Sequence, residues 1–426
     1  MRQLLLAVVI ATLSAAPANA RAQRIVFGDL AHSVPARAAS DSDPVTFGVE
    51  GPAPTIDADG AQGSQPFFVS IDEAPGTYCV TLTLGGALAS DITVKAELRR
   101  LMLTGIAVPA NGSRTASFLV NVRTPEIVGG GSVRLKAPRE NGAEAVAWDR
   151  RLTLEFNGRN PGVRAITVEP VTVPVIYLLG DSTVCDQSGE PYASWGQMLT
   201  AMIGPQAVVA NHGESGESVA ASNDRGRFAK ILGEIRPGDV FVVQFGHNDM
   251  KDKAKDPQAA LKYRDGLVAW ARAVQARGAR AVIVTPMNRH SFEGGHVVNT
   301  LEDYPDMARD AARISGARLI DLNAQSKTLY EAFGEQPSLA LFKHDADGSN
   351  ADTTHHSPFG AWELARIVAS DLAHAGLPVS ASVMPAFRGF DPANPDALAD
   401  FHVPPSPTRL AMRPLGDDAY HGTPQH

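Results

Sequence analysis

A chain of 426 residues, 44% hydrophobic and 20% charged, has the apolar content for a large core, and its length favours two or three domains. Its formal charge of −8 leaves no basic face for a general nucleic-acid binder, so nucleic acid is not an expected partner. The first stretch in chain order, residues 1–20, lies outside any fold. Arg2 gives a positive start, Leu4 to Leu13 a short apolar run and Ala18-Asn19-Ala20 a small-residue cleavage site, the three parts of a secretory signal peptide cut after Ala20. The apolar run is about half of the ~20 residues that a spanning helix requires. No later segment is long enough either, so the mature chain is expected to be exported, periplasmic or secreted, with no membrane partner.

Residues 21–170 have an all-β texture. Thr77–Gly85, Asp91–Leu98, Arg114–Val122 and Arg151–Gly158 alternate apolar and polar side chains, and Gly, Pro, Asn and Asp separate them. A β-sandwich is the architecture this pattern predicts. Export permits disulfides. The two cysteines, Cys79 and Cys185, fall in different predicted domains and read as separate thiols rather than a bridge.

The texture changes over residues 171–380. Val173–Gly180, Gln206–Gly213, Asp239–Gly246, Arg280–Met287 and Arg318–Asn323 are continuous apolar runs, which suits strands covered on both faces. Between and after them, Pro257–Ala276, Leu301–Ser315, Ala324–Phe333 and Pro358–Ala375 carry helical spacing. Strand and helix in alternation predict an α/β domain with a doubly wound parallel sheet. Residues 381–426 are Pro-rich and irregular, a tail that either wraps the domain or stays loose. No internal repeat is present.

The polar residues of interest follow the predicted strands. Gly180-Asp181-Ser182-Thr183 ends the first, Asn211–Ser218 (NHGESGES) follows the second, Phe245–Asp252 (FGHNDMKD) follows the third, and Ala351–Ala361 (ADTTHHSPFGA) precedes the last helix. Strand ends in such a sheet converge on one edge, where a pocket forms. Ester hydrolysis needs a nucleophile, a base and donors for an oxyanion. Ser182 supplies a hydroxyl, His355 can take its proton, and Asp352 can orient the imidazole. The backbone N–H groups of Ser182 and of Gly213 or Gly216, with the Asn248 amide, can complete an oxyanion hole. Each piece has a plainer reading. Asp352 and His355 at i, i+3 suit a helix cap, and Asn248 suits a turn. Asp352, His355 and His356 lack the further ligand a metal site needs. His344–Gly348 (HDADG) has its glycine at the wrong position for a calcium loop. Nothing around Cys185 makes it a nucleophile. The signal is that all four blocks occur in chain order on the expected loops.

That combination resembles the SGNH (GDSL) hydrolase superfamily, and within it the rhamnogalacturonan acetylesterase family of carbohydrate esterases (family 12). The likeness rests on GDSTVCDQ, SWGQML (Ser194–Leu199), RGRF (Arg225–Phe228), QFGHND, the stretch Thr285–Ala312 and DTTHHSPFGA, and it covers Val175 to about Ala375. It implies a three-layer α/β/α domain with Ser182, Asp352 and His355 catalytic, and Ser182, Gly216 and Asn248 as oxyanion donors. Gly216 is preferred to Gly213 on the family's Asn-to-Gly spacing. Arg289 and Tyr304 become sugar-facing, substrate-binding residues. The resemblance further implies an esterase that deacetylates pectic polysaccharide without metal or cofactor. Residues 21–170 resemble the galactose-binding-like sandwich found ahead of some bacterial members. Two rivals remain: a GDSL lipase or thioesterase with the same triad, and an inactive polysaccharide-binding protein, against which the intact Ser182, Asp352, His355 and Asn248 speak.

Overall fold

The computed structural model describes residues 22–27, 47–50, 52–254, 256–344 and 351–407. The signal-peptide stretch, most of the HDADG stretch and the tail from residue 408 lie outside the described residues.

The N-terminal half is a sandwich of two antiparallel sheets. Its strands are β1 (Gln23–Val26), β2 (Phe47–Glu50), β3 (Thr55–Asp57), β4 (Gly60–Gln62), β5 (Phe67–Asp72) and β6 (Gly76–Leu84). They continue with β7 (Ser90–Ala96), β8 (Arg100–Val108), β9 (Arg114–Val122), β10 (Arg151–Arg159) and β11 (Gly162–Pro170). One sheet runs β3-β4-β11-β6-β9 with β1 on β11, and the other runs β2-β5-β10-β7-β8. Alternation sends Tyr78, Val80, Leu82 and Leu84 of β6 into a core shared with Ile92 and Val94 of β7 and Leu152, Leu154 and Phe156 of β10. The outward residues of β7 and β10 are polar as alternation requires, yet Thr93, Lys95, Thr153, Glu155 and Asn157 are buried too. Other parts of the chain cover that face.

The C-terminal half contains β12 (Val175–Gly180), β13 (Val208–Asn211), β14 (Val240–Gln244) and β15 (Arg280–Val284). A small hairpin, β16 (Phe292–Glu293) and β17 (His296–Val297), precedes β18 (Arg318–Ile320). The main sheet is parallel in the order β13-β12-β14-β15-β18. The helices are α1 (Trp195–Leu199), α2 (Val219–Asp224), α3 (Arg227–Glu234), α4 (Ala259–Ala276), α5 (Tyr304–Ser315), α6 (Leu322–Phe333) and α7 (Pro358–His374). Successive strand residues point to opposite faces. Ile176 and Leu178 pack with α1, α6 and α7, whereas Tyr177 and Leu179 pack with α3, α4 and α5. Both faces are therefore apolar, which is why the strands read as unbroken hydrophobic runs. The architecture is a three-layer α/β/α domain behind a β-sandwich. Among the described residues no helix is long and apolar enough to cross a membrane.

The tail is wrapped, not loose, as far as residue 407. Phe387 and Phe401 pack on Trp362 of α7 with ring centroids 5.6 and 6.1 Å away. The chain then returns to the sandwich. Lys95 Nζ donates to Pro404 O and Ser406 Oγ at 2.7 Å each, and Asn157 Nδ2 donates to Pro405 O at 2.9 Å. Lys95 also lies 3.8 Å from Glu155, equally buried. Removing its ammonium strips a buried carboxylate of its cation, a loss typically of about 3–5 kcal/mol. Lys95→Ala should accordingly lower Tm markedly and expose the segment around residues 401–407 to limited proteolysis. An unchanged cleavage pattern would show that the tail is held without Lys95.

Candidate active site

The chain leaves β12, passes to β13 on one side of it, and returns to β14 on the other. The end of β12 is thus the topological switch point of the sheet, where a crevice opens. Gly180 closes that strand because a Cβ there would meet Val184 Cγ2 at 2.4 Å and Gln244 O at 2.6 Å. Asp181 then shapes the turn: its Oδ1 accepts from Thr183 N at 2.9 Å and Thr183 Oγ1 at 2.7 Å. Burial alone would raise the Asp181 carboxyl, but His247 and these Thr183 donors outweigh it and hold the group below its ordinary range. The turn delivers Ser182 to the crevice.

Ser182 Oγ lies 2.8 Å from His355 Nε2, and His355 Nδ1 lies 2.9 Å from Asp352 Oδ2. A carboxylate only accepts, so Nδ1 carries the proton and Nε2 is left to accept from the serine hydroxyl. Asp352 is fixed in turn: its Oδ1 accepts from Thr354 N and His355 N, each at 2.9 Å. The pair does not cap the last helix. Ser357 does, accepting from Gly360 N at 3.2 Å, with Pro358 opening the helix. The neighbouring His356 is structural. Burial, then the nearby His355 and His247, push it down to about 3, and its Nε2 lies 2.9 Å from Tyr330 OH, which also donates to Asn288 O at 3.3 Å. Among the described residues no group of three or more His, Cys, Asp or Glu side chains is placed to hold a metal.

The second block supplies the adjoining loop. Gly213 N donates to Asn211 Oδ1 at 3.1 Å, so its N–H is already used. Gly216 is half-buried and has φ +71°, a conformation that favours glycine. Asn248 Nδ2 donates to Glu217 O at 3.0 Å, beside Gly216. An amide nitrogen bears two N–H bonds, so this tie orients Asn248 and leaves a second donor direction. Ser182, Gly216 and Asn248 are thereby carried on the ends of β12, β13 and β14.

One expectation is corrected. Tyr304 does not face sugar: it has no exposed surface, donates to Asp249 O at 3.0 Å and packs edge-on to Tyr263. Arg289 is 1% exposed and holds the loop that carries His355, its Nε donating to Thr354 Oγ1 at 3.0 Å. Sequence reasoning missed the cluster under the glycine loop. Glu214 and Glu217 are buried and meet Lys136, Arg139 and Glu140 from the segment between β9 and β10. Those partners are distant in sequence, so no local pattern announces them.

Cys185 is fully buried, and burial raises its thiol well above the ordinary value. Both cysteines are unbridged. A thiol reagent should titrate both cysteines in denaturant without prior reduction but leave Cys185 unreacted in the native protein, and Cys185→Ser should leave kcat nearly unchanged. A denatured, unreduced sample without free thiol would contradict this.

Glu214 gives a pH prediction. It shares its burial with Glu140 and Glu144, against the guanidinium groups of Arg139 and Arg227. Three acids facing two cations retain one proton most cheaply on the group least well paired. Burial first, then the Glu144 carboxylate, raise Glu214 from 4.5 to about 8. A carboxyl raised in the folded state adds stability that is fully present below pH 4.5 and disappears as pH rises through about 8. Glu214→Gln mimics the protonated form. Thermal melts from pH 6 to 10 should show a smaller alkaline fall in Tm for this variant than for wild type. Parallel curves would rule out Glu214 as the titrating group.

The comparisons with known proteins bear on the same residues. The sequence model of the GDSL-like lipase/acylhydrolase family matches residues 178–362. Rhamnogalacturonan acetylesterase RhgT of Bacillus subtilis is 36% identical over 215 residues, which is 48% of this chain and 91% of that protein. The probable rhamnogalacturonan acetylesterase YesY of the same organism is 31% identical over 212 residues, 49% of this chain and 97% of its own. The crystal structure of Bacillus subtilis protein YxiM aligns at 27% identity over 72% of this chain and 80% of its own, with a TM-score of 0.46. The chain belongs to the GDSL-like lipase/acylhydrolase family of serine esterases, in the branch of the rhamnogalacturonan acetylesterases.

Proposed function

We propose that this protein is an exported carbohydrate esterase that removes acetyl groups from pectic polysaccharide. The observation that carries the reading is the relay from Asp352 through His355 to Ser182, at 2.9 and 2.8 Å, in a chain that is 36% identical over 215 residues to a rhamnogalacturonan acetylesterase. Export is supported by the leader-like Arg2, Leu4–Leu13 and Ala18-Asn19-Ala20.

Ser182 Oγ attacks the acetyl carbonyl carbon as His355 Nε2 takes its proton. The charge that develops on the carbonyl oxygen is met by the N–H groups of Ser182 and Gly216 and by the Asn248 amide. His355, now an imidazolium beside Asp352, returns the proton to the sugar oxygen as the C–O bond breaks. Water, deprotonated by the same imidazole, then attacks the acetyl-serine, and the imidazolium returns the proton to Ser182 Oγ as the bond from Oγ to the acyl carbon breaks and acetate leaves.

Acetate release from acetylated rhamnogalacturonan tests this reading. Ser182→Ala should lower kcat by several orders of magnitude in a folded protein. Asn248→Ala should lower it by roughly 10²–10³ with little change in KM, because the amide meets charge present only in the transition state. Preference for long-chain acyl esters over acetylated polysaccharide would point instead to a lipase-like member, and an Asn248→Ala loss confined to KM would move that residue to ground-state binding.

A further inference from the structure

Between β9 and β10 the chain leaves the sandwich for residues 123–150 and lies against the hydrolase domain. Arg134 N donates to Arg225 O at 2.9 Å, Lys230 Nζ donates to Glu126 O at 2.8 Å, and Glu140 pairs with Arg227 at 2.5 Å. The tip of this excursion brings Lys136 to the glycine loop. Its ammonium donates to the carbonyl oxygen of Ser215 and stands 2.6 Å from Glu217 Oε1. Glu217 has no exposed surface and is further held by Ser222 Oγ at 3.0 Å and Arg225 Nε at 3.2 Å.

The Ser215 carbonyl and the Gly216 N–H belong to one peptide group. That group is planar and trans, so its C=O and N–H point in opposite directions. A cation that captures the carbonyl therefore fixes the direction of the N–H on the far side. At Gly216 this matters more than elsewhere, because glycine also accepts the flipped peptide that would present a carbonyl in place of a donor. The ammonium additionally polarises the amide and strengthens it as a donor.

We propose that Lys136, contributed by the N-terminal sandwich, is a positioning residue for the reaction: it locks the Ser215–Gly216 peptide with its N–H directed into the oxyanion hole. The sandwich thereby completes the catalytic site of the hydrolase domain. This inference rests on the reading of Gly216 as an oxyanion donor.

The test uses the full chain, with kcat referred to titrated active sites. Lys136→Met should lower kcat by about 10–100-fold and leave KM within about threefold, the signature of weakened transition-state stabilisation. Methylboronic acid, which forms a tetrahedral adduct on the serine, should lose affinity by a similar factor. Lys136→Arg should recover most of both. Combined with Asn248→Ala, the loss should be smaller than the product of the single losses, since both act on one oxyanion. If Lys136→Met does not fold, Lys136→Gln, which keeps a donor without the charge, takes its place and should show a smaller loss in the same direction. A variant with reduced Tm but unchanged kcat and boronate affinity would make Lys136 a structural tether only and overturn the proposal, as would a loss confined to KM. If Asn248→Ala also leaves kcat unchanged while Ser182→Ala abolishes it, the oxyanion assignment itself fails. If Asn248→Ala behaves as expected and Lys136→Met does not, only the positioning role is lost.

Discussion

A carboxylate with no contact with water must be given cations, and Glu217 is such a carboxylate. Its neighbours in sequence supply Arg225, while Lys136 comes from the other domain. Glu214, buried beside it, meets Arg139, Glu140 and Glu144 of the same excursion and keeps its proton up to about pH 8. Pairing these acids forces residues 123–150 out of the sandwich and onto the hydrolase. Once there, Arg123 lies 4.4 Å over the Trp148 ring, and Trp148 stands edge-on to His212 at 6.1 Å. The seam between the halves is a charged, desolvated core rather than a linker contact.

That seam reaches the loops that carry the reacting groups. The glycine loop meets Lys136, and Arg100 pairs with Asp186, four residues past Ser182, at 2.7 Å. The catalytic histidine loop is held by Arg289 through Thr354. Nucleophile, base and oxyanion donors therefore sit on three strand ends and one loop, three of them braced by a cationic side chain and the fourth, at Asn248, by the hydrogen bond to Glu217 O. Preorganisation of this kind is what an esterase needs, because donors fixed before the reaction cost nothing to reorient during it.

Much of this was legible in the sequence. The unbroken apolar runs named the parallel strands because both faces of that sheet are dry, and strict alternation named Gly76–Leu84 and Arg114–Val122 in the sandwich. The triad was legible because Asp352 and His355 act at a spacing of three and Ser182 ends a strand. Helices α2 and α3 were not seen; the first is six residues long, and their apolar faces are short. Tyr304 was carried to the sugar-facing wall by the likeness of the Thr285–Ala312 segment alone, and such a likeness does not tell a buried phenol from one that meets a ligand. Lys136 was invisible for a different reason: its partner at Ser215 is 79 positions away, and nothing in the surrounding "RLKAPRE" separates it from an ordinary surface lysine.

The return of the tail has a mechanical consequence. Residues 23–26 are strand-paired to β11, and residues 404–406 are hydrogen-bonded to Lys95 and Asn157 of β7 and β10, so both segments are anchored on the sandwich. The whole hydrolase domain is a loop hung between those two anchors. Tension applied between Gln23 and Ser406 runs through the sandwich and its two attachments, and the parallel sheet carrying Ser182 bears none of it until an attachment parts. The catalytic half is thus strain-relieved by its own front domain.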